Sequence, residues 1–140
     1  MLLAVDELFA LWQEPVDARE DAEGAFRRLY ADPVTVNGTP VAVSWLVERA
    51  RALQRGLSDL TIDLVDHLET ADRVVVVFYM RARHTGPLVT SVGTVAATGR
   101  DIEVRTIDVL TVGDGLIREV WVSSDELGML TQLDAVPALG

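Results

Sequence analysis

The hydrophobic pattern changes period near Gly56, and that change constrains the fold more than any single residue does. Before it, apolar residues recur at helical spacing. Val5, Leu8, Phe9 and Trp12 share one helical face, and Pro15 stops that segment. Asp17 and Glu20 have capping-box spacing, and Ala18, Ala22, Ala25, Phe26, Leu29 and Tyr30 follow, which predicts a second helix ending at Asp32-Pro33. Val34–Val36 reads as a short strand and Asn37-Gly38 as a turn. Thr39 as N-cap with Pro40 in the first helical position then predicts a third helix through Trp45, Leu46, Arg49, Ala50 and Leu53 to Gly56. After Gly56 the period becomes two. Strands are predicted over 59–69, 74–84, 88–97, 102–112 and 116–122, with turns at Thr98-Gly99-Arg100 and Gly113-Asp114-Gly115. Ser123 and Glu126 form a second capping box before Leu127, Leu130 and Leu133, which predicts a short C-terminal helix. Helices followed by a strand meander describe an α+β fold in which helices cover one face of a curved antiparallel sheet, expected as one domain over residues 1–140.

Composition narrows the chemistry. The 140 residues carry 22 acids and 12 basic residues, a formal charge of -10, which repels nucleic-acid phosphates and anionic lipid surfaces, so neither is an expected partner. Every basic residue is arginine, and there is no lysine and no cysteine, which removes Schiff-base and thiol chemistry, disulfides and thiolate metal sites. The two histidines, His67 and His84, stand seventeen apart without a flanking ligand pattern, so no metal is expected. Walker, dinucleotide-binding and nucleophile-elbow motifs are also missing. The first twelve residues contain Asp6 and Glu7 and no basic stretch, unlike a secretory leader, and the expected location is the cytoplasm. Residues 1–23 and 59–72 hold twelve of the acids and read as solvated faces.

The most informative stretch is 84–134. It contains Thr98-Gly99-Arg100, the strand Glu103-Val104-Arg105-Thr106-Ile107-Asp108-Val109-Leu110, the turn and strand Gly113-Asp114-Gly115-Leu116-Ile117-Arg118-Glu119-Val120-Trp121, and Ser124-Asp125-Glu126-Leu127 running on to Gln132-Leu133. In order and spacing this resembles the SnoaL-like polyketide cyclase group of the NTF2-like superfamily. The resemblance implies an NTF2-like cone in which a strongly bent sheet wraps around helices, a deep apolar pocket, and a homodimer formed through the sheet. It also implies intramolecular aldol ring closure of an apolar carbonyl substrate by a carboxylate, without metal or organic cofactor. Relatives on the same fold include epoxide hydrolases, dehydratases and non-catalytic binding or partner subunits, so those alternatives stay open. The epoxide-opening branch has an Arg-x-Asp pair on the central strand; Arg81-Ala82-Arg83-His84 stands here instead.

Asp125 falls on the family's acidic position after the tryptophan and is the first candidate for acid/base residue. The other reading is the helix N-cap; Ser123 already offers that cap, which would leave Asp125 a first-turn acid that complements the helix dipole. Asp108 shares a strand face with Thr106 and Leu110 by alternation, and is either a second pocket carboxylate or the partner of Arg81 or Arg83. Arg105, a candidate for substrate binding, points to the opposite face from Asp108, so one of the two is expected toward the pocket and the other toward the dimer or solvent side. His84 either hydrogen-bonds a substrate carbonyl, or shares a proton with Asp125, or lies in solvent at a strand end. His67 reads as solvated. Asn37 is a pocket amide or simply a turn residue. Tyr30, Trp45 and Trp121 are core aromatics or cavity liners able to stack on a flat ligand.

Overall fold

The computed structural model describes residues 2–139. In chain order the elements are α1 (Val5–Gln13), a 3-10 turn (Val16–Ala18), α2 (Ala22–Arg27), β1 (Tyr30–Val36), β2 (Thr39–Val41), α3 (Val43–Gly56), β3 (Leu57–Glu69), β4 (Arg73–His84), β5 (Leu88–Thr90), β6 (Gly93–Val95), β7 (Asp101–Gly113), β8 (Leu116–Ser124) and α4 (Glu126–Gln132). Six strands form one sheet in the order β2-β1-β8-β7-β4-β3, and β5–β6 make a separate hairpin.

The sheet is mixed rather than purely antiparallel, because β1 lies parallel to β8. The chain leaves β2 through α3 and starts the meander at the far edge with β3. When the meander returns, β8 runs alongside β1 in the same direction. β4 and β7 pair in register from Arg73↔Thr111 to Arg83↔Asp101, whereas β3 and β8 carry register shifts at Ser58/Thr61, Leu64/Asp66 and Thr111/Val112. Bulges of this kind add twist and bend a strand, so the outer strands curl around a regular central pair.

Alternation then divides the faces. On the concave face, Val74, Val76 and Phe78 of β4 and Leu110 and Val112 of β7 pack against Leu8, Phe9, Phe26, Val43, Leu46 and Ala50 of the helices. Further along the same strands, Ala82, Ile102 and Val104 pack with Leu57, Leu88, Met129 and Leu133 in a second cluster. Thr106 and Asp108 occupy the β7 positions between the two clusters.

Several local expectations are corrected. Asn37 and Gly38 both have positive φ (48° and 85°), and Val36 pairs with Thr39, which is the two-residue hairpin turn that matches strand twist. That hairpin draws Thr39 and Pro40 into β2, so α3 starts only at Val43, whose N–H donates to Asp32 Oδ1 at 3.1 Å. The helix expected from Asp17 is the 3-10 turn plus α2, capped instead by Asp21 onto Gly24 N at 2.9 Å. The strand expected over 88–97 folds back on itself at Thr90–Gly93. Ser123 lies in β8, and Asp125 is the N-cap of α4.

The C-terminal helix is tied down by a side chain. β8 stops opposite Thr106, leaving the earlier part of β7 without that neighbour. Gln132 fills the place of a strand: its Oε1 accepts the Glu103 N–H at 2.8 Å and its Nε2 donates to the Glu103 carbonyl at 2.8 Å. Gln132→Ala is therefore expected to cost on the order of 1 kcal/mol in urea unfolding and to accelerate amide exchange at Glu103. Unchanged exchange there would contradict the clamp.

Candidate functional site

Burying a carboxylate is unfavourable unless it gains partners, so an acid on the concave face of a core strand needs explanation. Asp108 is such an acid. Its neighbours across the ladders are Val76 and Val122, both apolar. Its Oδ1 is buried without a hydrogen-bond partner among the described residues. Desolvation accordingly pushes its carboxyl up to about 7.

The arginines proposed as structural partners are engaged elsewhere. Arg81 bonds Asp63 and, at 2.7 Å, Glu103; Arg83 donates to the Gly99 carbonyl at 3.2 Å. Both point to the face opposite Asp108. Of the two readings left open for Asp108, the arginine pair is not formed.

Polar side chains cluster near it. Thr106 Oγ1 and Ser124 Oγ are 3.0 Å apart, one inward position along the strand. Asn37 lies in the β1–β2 turn, where its Oδ1 accepts the Val122 N–H at 2.8 Å and its own N–H donates to the Val120 carbonyl at 2.9 Å. Asn37 thus extends the β1–β8 ladder to the residue beside Asp108. Tyr30, at the start of β1, is buried, with its Oη accepting from Trp12 Nε1 at 3.1 Å. Burial chiefly raises the Tyr30 phenol above its usual range; the Trp12 hydrogen bond opposes this, and the charge of Asp108 adds to it. The Trp12–Tyr30 pair escaped the sequence reading, since no local pattern links residues eighteen apart.

Other candidates lie apart. His84 is fully buried at the end of β4, not in solvent as the simpler expectation had it. Its Nδ1 lies 3.2 Å from the Thr98 N and 2.9 Å from Thr98 Oγ1, and its Nε2 is buried without a hydrogen-bond partner among the described residues. Eight residues of β4 separate it from Val76, roughly 26 Å of strand, so it does not share a site with Asp108. Asp125 is exposed, and its Oδ1 accepts the Gly128 N–H at 2.9 Å as the cap of α4. Trp45 is 44% exposed on α3, with the Arg49 guanidinium 6.0 Å from its ring centre. Arg105 and Trp121 both face the convex side, and Trp121 is 51% exposed with Nε1 donating to Glu119 at 3.3 Å. His67 is exposed, 3.6 Å from Glu69. Two open depressions, of about 350 Å³ by Arg19 and Arg51 and about 440 Å³ by Arg81 and Gln132, are lined mainly by charged and polar groups, and neither contains Asp108. Among the described residues no three His, Asp or Glu side chains converge as a metal site.

Comparison with known proteins follows this geometry. The model of the family described as SnoaL-like polyketide cyclase matches residues 11–133. The chain belongs to that family. The structure is similar to TsrD from Streptomyces laurentii (22% identity, TM-score 0.79, 94% of this chain and 92% of that one). It is also similar to IdmH from Streptomyces antibioticus (24%, TM-score 0.73, 93% and 95%) and to a SnoaL-like polyketide cyclase from Agrobacterium tumefaciens (17%, TM-score 0.72, 95% and 99%). No curated protein sequence matches. These likenesses establish the fold, and the NTF2-like cone of helices within a curved sheet is the one observed.

Two outcomes follow for this SnoaL-like chain. The Asp108 carboxyl is held above its unfolded value of about 4, so folding takes up a proton between roughly pH 4 and pH 7 and stability falls as pH rises through that window. Asp108→Asn removes that penalty. The variant is expected to be more stable than the parent by about 2–4 kcal/mol at pH 8, with the difference vanishing below pH 4, as read by denaturant titration across pH. A less stable variant at pH 8 would contradict an unpaired buried carboxylate. Asp125→Ala is expected to lose about 1 kcal/mol in the same titration, whereas Asp125→Asn, which still caps, keeps most of it.

Proposed function

We propose that this chain is a cofactor-free acid/base enzyme of the polyketide cyclase type, acting on an apolar carbonyl substrate, with Asp108 as the proton carrier. The observation that carries this reading is a carboxyl poised near pH 7, with one oxygen unpartnered, on the seam between two apolar clusters. A base must be ionised often enough to accept a proton and basic enough to take it from carbon, and a pKa near the working pH meets both needs. Asp108 removes the proton α to a carbonyl, the resulting enolate carbon attacks a second carbonyl of the same molecule, and the new alkoxide takes the proton back from Asp108. Carbon–carbon bond formation then closes the ring with no net change in protons. Asp125 serves this scheme through α4, which it caps, and Asn37 by holding β8 in place beside Asp108.

On a polyketide β-keto ester, Asp108→Asn is expected to reduce kcat about 10²–10⁴-fold, the range for loss of a general acid–base group, while Asp125→Asn keeps most of the activity. For the parent, kcat/KM should rise as pH increases through about 7, because the ionised form is the base. Wild-type turnover in Asp108→Asn would remove this reading.

The partner proposed is a second copy. On the convex face, Leu68, Val75, Val109 and Trp121 form one row across β3, β4, β7 and β8, with Val77 and Ile107 in the next. Leu68 is 60% exposed and Ile107 is 40% exposed, an apolar sheet face of the kind that isologous dimers bury. Trp121→Glu with Ile107→Glu should convert a dimer to monomer in sedimentation velocity; a parent that sediments as a monomer contradicts the pairing.

A further inference from the structure

We propose that the Thr106–Ser124 hydroxyl pair donates a hydrogen bond to the oxygen of the second substrate carbonyl, the one that the enolate carbon attacks, with Ser124 touching that oxygen and Thr106 as the positioning residue behind it. This rests on the acid/base role proposed for Asp108 and adds to it the choice of which carbonyl closes the ring.

Strand register joins the pair to Asp108. Asp108 faces Val122 and Thr106 faces Ser124 at successive inward positions of one antiparallel ladder, so the four side chains form a two-by-two block on the concave face. Neighbours in such a block stand about 5 Å apart across the ladder and about 7 Å apart along a strand. Cover of the concave face ends here. Along β8 the inward residues pass from buried Val120 to Val122, which is 39% exposed, and then to exposed Ser124. The block is therefore open from the β8 side, with Val122 as an apolar floor between the carboxyl and the serine. Thr106 lies behind it and is only 5% exposed. Ser124 is fixed by Thr106 and by the next residue, since the Asp125 N–H donates to the Arg105 carbonyl at 3.0 Å and the Asp125 side chain caps α4. Two hydroxyls carry two protons, and their 3.0 Å contact uses one. Whichever oxygen donates, one proton is left for a third group, and neither hydroxyl has another partner among the described residues. A buried proton without an acceptor is costly, so the arrangement of lower energy has Thr106 donating and Ser124 presenting its proton to the open side.

A carbonyl, which accepts without donating, fits that proton. With the α-carbon at Asp108 and the second carbonyl oxygen at Ser124, the span of about 7 Å holds the two carbons that must join between the carboxyl and the hydroxyl pair. As the enolate carbon bonds to the carbonyl carbon, the π pair of that carbonyl moves onto its oxygen. The alkoxide then forms beside an O–H dipole that is already aimed at it. Ser124 keeps its own proton. The alkoxide takes the proton that Asp108 removed from carbon, and the ring closes with no net change in protons. A carbonyl elsewhere along the substrate chain does not reach the pair and is not activated, which makes the pair a determinant of ring size.

The test uses benzophenone labelled with carbon-13 at its carbonyl, an apolar ketone without α-hydrogens that can stand only as the attacked carbonyl. Its carbonyl resonance should lie further downfield when bound to the parent than when bound to Ser124→Ala, because hydrogen bonding draws electron density from the carbonyl carbon. Thr106→Val should fall between the two, and Ser124→Thr, which restores the hydroxyl, should match the parent. On a β-keto ester with several carbonyls, Ser124→Ala should lower kcat about 10²-fold with KM little changed and spread the product over other ring sizes, and Ser124→Thr should recover most of the rate. Circular dichroism confirms that each variant is folded. A pair that only tied β7 to β8 would lower the melting temperature on substitution and leave the resonance and the products as they were. Equal resonances in the parent and Ser124→Ala, or no binding to the parent, overturn the proposal. The benzophenone shift does not pass through Asp108, so wild-type turnover in Asp108→Asn overturns the acid/base role alone, and the two failures are told apart.

Discussion

The in-register ladder between β4 and β7 is the constraint on which the rest of the structure depends. Eleven consecutive pairs run from Arg73↔Thr111 to Arg83↔Asp101. Because side chains alternate, a slip of one residue would turn Val74, Val76 and Phe78 to solvent together with Leu110 and Val112. Loss of that burial prevents the slip, and it therefore also decides which way Asp108 points. The acid is carried inward by the apolar residues on either side of it, not by any partner of its own.

That placement opposes stability and serves chemistry. The two concave clusters bury apolar surface on both sides of the seam, and their contribution tolerates one uncompensated carboxyl between them. Nearby polar side chains are bonded to other groups: Asn37 to β8, Thr106 to Ser124, and Tyr30 to Trp12. Each is held in orientation by a bond that leaves Asp108 Oδ1 open. The helices act on the site in the same indirect way, since Phe26 of α2 and Trp12 of α1 set the position of Tyr30.

Much of this was legible in the amino-acid order. The period change near Gly56, the limits of β4 and β7 to within a residue, and the common face of Thr106, Asp108 and Leu110 follow from local alternation. The resemblance over 84–134 anticipated the family and the cone. What stayed hidden depends on residues far apart in the chain. Arg81 finds Asp63 and Glu103 on neighbouring strands, which a single strand cannot announce. The parallel β1–β8 pairing depends on where the meander ends. Ser123 and Asp125 are both good caps, and the choice between them is made by β8, which extends through Ser124. His84 was legible as a strand-end residue, but its burial depends on Thr98 folding back over it.

The central claim is that Asp108 is a half-buried carboxyl, with one buried oxygen unpartnered among the described residues, whose proton leaves near neutral pH. Carbon-13 NMR titration of the aspartate side-chain carboxyls, with the Asp108 resonance assigned by its absence in Asp108→Asn, measures this directly. The account predicts a midpoint at about 7 for that resonance. A midpoint near the ordinary aspartate value of about 4 would show a solvated or paired carboxylate and contradict the account.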